Sequence, residues 1–307
     1  MDKRQIYKET LFSILLRKIK YILFRLLTQK SGSLFTRGKD RISYDHLLWG
    51  IHEESVTRTI HHYMNLDYKD FLIDVGANIG LISCQSGDGF REIHMFEPNP
   101  LCCNILETNT QLSLRPEQIN IYRYGLGDSY KESILNVPKD NWGGAFIRDL
   151  ANSYSDVILA SKDGYHNFND KNYVQVKIQV KDTETELRSL FGTLSQKNLT
   201  KGIIKIDVEG YEETVLIGIA KSLPTNMDII IIFESWDEKF NLINVLNNFK
   251  TNCTVKKIQR LVPWKKEWSI HKKIFSFILK PNIYTEIGDL NQNDCSGEVI
   301  LEINRLA

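Results

Sequence analysis

Between residues 71 and 100 the chain alternates short apolar runs with glycine-bearing turns. Residues 71–73 are apolar and lead into Asp74, Gly76, Asn78 and Gly80. Residues 81–84 then open a helix, and a second apolar run ends at Glu97, followed by Pro98 and Pro100. Apolar runs this short read as buried strands, and Pro100 suits a helix start. The order is strand, glycine turn, helix, strand, acid, which is half of a nucleotide-binding α/β unit. The rhythm returns at 202–218: Ile203 to Ile206 make a mostly apolar run, Asp207, Glu209 and Gly210 close it, and a helix follows from about Tyr211. The pattern predicts helices over about 3–28, 54–66, 79–87, 100–112, 211–221 and 238–249. It predicts strands over about 71–75, 91–96, 119–124, 173–180, 203–207, 228–234, 252–259 and 274–279. Such alternation means a mostly parallel sheet with helices on both faces. Residues 130–182, rich in Asn, Asp, Ser and Tyr, read as an insertion. Residues 1–45 read as an N-terminal helix and linker, 46–281 as the main domain, and 282–307 as a C-terminal extension. In that extension the apolar run 299–303 is an extra edge strand or a dimer contact.

The nucleotide can be narrowed. A dinucleotide fold carries G-x-G-x-x-G, so that backbone N–H groups and a helix start cradle a pyrophosphate. Gly76-Ala77-Asn78-Ile79-Gly80 is not that pattern. Asp74, placed at the mouth of the loop, would repel a pyrophosphate and favour the ammonium or sulfonium of S-adenosylmethionine. Glycines in the loop permit positive φ and close backbone approach. Glu97, at the end of its strand, is placed to accept two hydrogen bonds from a ribose diol.

Taken together, the stretches from Asp74 to Gly80, from Phe96 to Pro100 and from Lys205 to Gly218 resemble the FkbM-type S-adenosylmethionine-dependent methyltransferases. Asn141-Trp142-Gly143-Gly144-Ala145 looks like that family's glycine-rich insertion, and Gly125-Leu126-Gly127-Asp128 like its turn after the third strand. Val180-Lys181-Asp182 and the acid-terminated run 229–234 fit as well. The resemblance covers roughly residues 50–280. It implies a Rossmann-like class I methyltransferase fold of seven strands, the last antiparallel, with S-adenosylmethionine as donor and S-adenosylhomocysteine as product.

Site residues follow from those motifs. Asp74, Gly76, Asn78 and Gly80 would approach the methionine part of the donor, with Asp207 beside it. Glu97 would hold the ribose, Pro98, Asn99 and Leu126 would border the adenine, and Asp128 would reach its exocyclic amine. A hydroxyl acceptor must lose a proton, so a base is needed. Asp207, Glu209 and His52 are the candidates, and the sequence does not choose among them. Glu53, Trp142, Gly143, Glu234 and Trp236 are candidate acceptor contacts, with Tyr154, Tyr165 and His166 as further aromatic or polar groups. Asp207, Glu209 and Glu234 would also suit Mg²⁺, which the resemblance does not require. The five cysteines (Cys84, Cys102, Cys103, Cys253, Cys295) form no C-x-x-C and no even framework, which points to reduced thiols in a cytoplasm and away from zinc.

Charge alters the picture at one end. The whole chain carries +1, but residues 1–30 hold eight Lys or Arg against Asp2 and Glu9, leaving −5 for the remainder. No strongly basic balance argues for nucleic acid. Phe12, Leu15, Leu16, Ile19, Ile22, Leu23, Leu26 and Leu27 recur at helical spacing with Arg17, Lys18 and Arg25 opposite. This is neither a signal peptide nor a spanning helix, because basic residues interrupt it. It fits an anionic membrane surface, at the inner face of the cytoplasmic membrane, or docking on protein, including a second subunit. The family methylates hydroxyls of glycans and of secondary metabolites. The basic helix tips the expectation toward a bacterial surface glycan (O-antigen, capsule or lipid-linked saccharide). An NAD-dependent sugar-modifying enzyme and a non-catalytic scaffold are the alternatives from other classes.

Overall fold

The apolar runs become strands because both of their faces are buried. The computed structural model describes residues 11–27, 34–150, 152, 154–162, 169–236, 240–250, 252–261, 268–272, 284–290 and 297–304. In chain order, the first half holds α1 (Leu11–Leu27), α2 (Arg41–Trp49), α3 (Glu54–Asn65), β1 (Phe71–Val75), α4 (Leu81–Ser86), β2 (Glu92–Phe96), α5 (Pro100–Ser113) and β3 (Ile119–Tyr122). Next come β4 (Gly125–Gly127), β5 (Lys131–Pro138), β6 (Phe146–Ile147), α6 (Asp156–Lys162), β7 (Tyr173–Asp182) and α7 (Thr183–Gln196). Last are β8 (Lys201–Ile206), α8 (Glu212–Ser222), β9 (Asp228–Ser235), α9 (Leu242–Asn248), β10 (Cys253–Leu261), β11 (Tyr284–Asp289) and β12 (Gly297–Ile303).

The central sheet has eight strands in the order β11-β10-β12-β9-β8-β1-β2-β3. β9, β8, β1, β2 and β3 are mutually parallel. β12 is antiparallel to both of its neighbours, and β11 is antiparallel to β10. Alternate side chains separate into two cores, as strand geometry requires. Phe71, Ile73, Ile204, Ile229, Ile231 and Leu301 meet α7 and α8 on one face. Leu72, Ile93, Ile203, Ile230, Ile232 and Ile300 meet α3 and α5 on the other. The expected α/β architecture with helices on both faces is therefore present.

Three boundaries differ from the sequence reading. The sheet has eight strands where seven were expected, and its reversed inner strand is β12. The segment 282–307 is thus no extension: its apolar run 299–303 fills the gap between β9 and β10, neither at an edge nor on a dimer surface. The strand expected at 274–279 lies outside the described residues. Residues 34–45 are no linker either. Asp40 and Ser43 are fully buried, and the Phe35 N–H donates to Asn109 Oδ1 at 2.6 Å while Asn109 Nδ2 donates back to the Phe35 carbonyl at 3.0 Å. The insertion is a second sheet, ordered β4-β7-β5-β6. Of the expected N-terminal helix, residues 11–27 are described and are helical.

If β12 is an inner strand, Leu301→Ala should destabilise the chain by about 2–5 kcal/mol, the usual cost of emptying a buried leucine site. Urea unfolding measures this. A loss no larger than that of a surface substitution would contradict the placement of β12.

Candidate active site

The site is built where β1 and β8 end side by side. Their register pairs Asp74 with Lys205, and neighbouring side chains in a parallel register share a face. Lys205 Nζ therefore lies 3.7 Å from Asp74 Oδ1 and 3.3 Å from Asp207 Oδ2. Burial acts to lower the Lys205 pKa, but Asp207, Asp74 and Glu53 outweigh it and the ammonium is held charged. Asp74 is wholly buried, and burial raises its carboxyl above the usual range against the pull of Lys205 and the Ser83 hydroxyl, which donates to Oδ2 at 2.7 Å. Asp74 thus sits beneath the glycine loop and not at its mouth, because Lys205 and Ser83 draw it inward.

The loop above is stitched to both neighbouring strands. Gly76 and Ala77 N–H groups donate to the Phe96 carbonyl, each at 3.0 Å, and the Asp207 N–H donates to the Val75 carbonyl at 3.0 Å. Gly76 has φ +82°, and a Cβ there would stand 1.9 Å from the Asp207 carbonyl oxygen. Only glycine lets these two loops approach so closely. Glu97 accepts from the Asn78 N–H at 2.8 Å and from the Asn99 N–H at 2.7 Å, one on each carboxylate oxygen. Each oxygen keeps a further lone pair for a ligand hydroxyl. Burial pushes the Glu97 carboxyl up to about 7, against those two backbone bonds.

The inserted sheet is pinned over the strand ends. Asn152 Nδ2 donates to the carbonyls of Ile147 at 2.7 Å and Glu209 at 2.9 Å. Asp40 accepts from the Trp142 N–H at 3.2 Å and from Arg37 at 3.1 Å, and the Arg37 guanidinium lies 4.4 Å from the Trp142 ring centroid.

Two cavities open from this arrangement. The first is bordered by Gly76, Asn78, Glu97, Pro98, Leu126 and Trp142, with an apolar wall from Leu135, Phe146 and Val180 of the insertion. The second is bordered by His52, Glu53, Lys205, Glu234 and Trp236. Gly76, Asn78, Gly143, Asp207 and Glu209 line both, so the cavities meet there. The structure therefore brings together every sequence-derived candidate for base and acceptor contact among the described residues except Tyr154. That side chain is buried, and its hydroxyl accepts from the Trp236 N–H at 3.3 Å. Tyr165 and His166 lie outside the described residues.

Four donor candidates do not reach the first cavity, among them Asn99, whose buried Oδ1 accepts from the Leu101 N–H at 3.1 Å. Asp74 is a second. Gly80 is a third: its added Cβ would meet Leu106 Cδ1 at 2.5 Å, so its role is helix packing. Asp128 points to solvent, 3.6 Å from Lys131 Nζ. Among the described residues no group of three or more His, Cys, Asp and Glu is arranged to hold a metal ion. The grouping of Asp207, Glu209 and Glu234 as a ligand set is thereby corrected, and a physical reason is at hand: Lys205 already brings a cation to Asp207. Lys205 is also the residue that pattern reading passed over, although a lysine inside the apolar run 203–206 was a visible signal.

The profile of the methyltransferase FkbM domain matches residues 74–254. This chain belongs to the FkbM methyltransferases. It is an S-adenosylmethionine-dependent enzyme, as that family is. The methyltransferase sdnD of Sordaria araneosa is 26% identical over 200 residues, taking in 61% of this chain and 74% of that relative. Among solved structures, the FkbM methyltransferase of Methylobacillus flagellatus is 13% identical, covering 94% of this chain and 60% of its own, with a TM-score of 0.36. An O-methyltransferase of Bacillus cereus in complex with S-adenosylhomocysteine is 8% identical, covering 98% and 94%, with a TM-score of 0.33. The residues of this FkbM enzyme fit its donor. Asn78 Oδ1 is buried with no partner, an acceptor suited to the donor's ammonium, and Glu97 has lone pairs for the ribose.

Two outcomes are expected. Lys205→Met leaves Asp74 and Asp207 uncompensated and should cost about 3–5 kcal/mol in urea unfolding; pairing it with Asp74→Asn should recover part of that loss. Equal stability of Lys205→Met and wild type would rule out the ion triad. For Glu97, the folded carboxyl keeps its proton up to about 7, whereas the unfolded one ionises near 4.5. Between those values unfolding releases a proton, so this group makes stability fall as pH rises. Glu97→Gln should remove that slope. S-adenosylhomocysteine, which needs the ionised acceptor, should bind wild type more tightly at about pH 8 than at about pH 6 by calorimetry. Glu97→Gln should show no such gain.

Proposed function

We propose that this FkbM enzyme transfers a methyl group to a hydroxyl of a sugar, in a saccharide of the lipid-linked or surface-glycan kind. The observation that carries this reading is the lining of the second cavity. Carboxylates of Glu53, Asp207, Glu209 and Glu234, with His52, surround it, and Trp236 stands half exposed at its side. Several hydrogen-bond acceptors beside one flat aromatic surface suit a ring that carries many hydroxyls.

When bound, S-adenosylmethionine supplies a methyl group already activated on a sulfonium. The protein's part is to align the acceptor, exclude water and take up the proton. Asp207 and Glu209 both stand where the cavities meet. Asp207 is already engaged by the Lys205 ammonium at 3.3 Å, so Glu209 takes the hydroxyl proton in this reading. His52 Nε2 lies 3.5 Å from Glu53 Oε1, and the pair orients the acceptor. The Trp142–Gly143 loop, tied down by Arg37 and Asp40, closes over the reacting atoms.

Transfer of labelled methyl to a panel of saccharides and of non-sugar hydroxyl compounds tests the assignment. Turnover on saccharides alone is expected. Glu209→Gln should lower kcat by about 10²–10⁴-fold while binding S-adenosylhomocysteine as wild type does. Turnover only on non-sugar acceptors would replace the sugar reading, and full activity of Glu209→Gln would remove its role as base.

A further inference from the structure

Helix α1 presents an apolar face that nothing in the described chain covers. Phe12, Leu15, Ile19, Ile22, Leu23 and Leu26 are each between 44% and 72% exposed. At the helical advance per residue they fall within about 100° of arc. Arg17, Lys18, Lys20 and Arg25 all lie outside that arc, where they alternate with Leu16, Tyr21, Phe24 and Leu27, and residues 11–27 contain no Asp or Glu. A contiguous apolar stripe of this size marks a contact surface.

The charges say what kind. A second copy of α1 is a poor occupant: helices that pair along an apolar seam are flanked by opposite charges, and here both flanks would be basic. Four cations interrupt the apolar residues of α1, and among the described residues no helix is long and apolar enough to cross a bilayer. An anionic lipid surface satisfies both faces at once. It takes the apolar stripe into the acyl boundary and offers phosphates to lysines and arginines that reach upward along their stems. The surplus of +6 over residues 1–30, set against −5 elsewhere, adds long-range attraction at that end of the chain alone.

We propose that α1 is an interfacial anchor that lays this methyltransferase on an anionic bilayer. The proposal does not depend on which acceptor the enzyme methylates. It is tested by flotation of the full chain with vesicles of phosphatidylcholine, with and without phosphatidylglycerol. The chain should float with the anionic vesicles and much less with the neutral ones, and raised salt should weaken the association. Leu15→Ser with Leu23→Ser, and separately Lys18→Glu with Arg25→Glu, should each abolish flotation. Both double variants should leave the melting temperature and S-adenosylhomocysteine binding unchanged, because α1 lies outside the two cores. The idea is overturned if the chain stays in solution with both vesicles, or floats equally with both. It is also overturned if light scattering shows a dimer that Leu15→Ser with Leu23→Ser dissolves.

Discussion

One buried ammonium organises the reactive end of this protein. Lys205 lies between Asp74 and Asp207, at the ends of two adjacent parallel strands. Without a cation there, two carboxylates would be forced together in a water-poor place, and the loops that carry them would separate. With it, the Asp207 carbonyl can come so close to Gly76 that no side chain fits between them. The glycine loop and the acid loop then form one edge, and both cavities take part of their common border from it. The lysine also differentiates the two acids that follow it, because Asp207 is engaged by the ammonium and Glu209 is two residues beyond it.

The insertion supplies what the sheet lacks. A doubly wound sheet offers a crevice at its strand ends but no roof. Here a small second sheet provides apolar walls through Leu135, Phe146 and Val180, and Asn152 ties it to the carbonyl of Glu209. Residues ahead of the first strand take part too. Asp40 and Arg37 hold Trp142 from the opposite side, so the loop that borders the first cavity is gripped by segments far apart in sequence.

Much of this was legible in the residues, for a physical reason. β1, β8 and β9 are buried on both faces, so they read as apolar runs broken only by residues such as Asp74 and Lys205, and the loops after β1 and β8 need glycine at Gly76 and Gly210. Those local demands leave local marks; helix α7 leaves one too, in the spacing of Leu187, Leu190, Phe191 and Leu194, but the pattern reading passed over it. Residues 299–303 are different. A short apolar run has the same composition at an edge as in the middle of a sheet, and only its pairing with both β9 and β10 decides. The same holds for side-chain direction. Asp74 and Asp128 both belong to recognisable motifs, yet one is drawn inward by Lys205 and the other outward by Lys131. No spacing records where the compensating charge will stand.

The position of β12 orders events in time. Synthesis delivers β9 some sixty residues before the strand that lies against it. Until residues 297–303 have left the ribosome, β9 presents an open hydrogen-bonding edge lined with isoleucine, and β10 has no neighbour through which to join the sheet. β10 and β11 therefore wait on one later strand, while β9, β8, β1, β2 and β3 can already pair. During that interval the nascent chain carries the kind of unpaired apolar edge that other chains can capture.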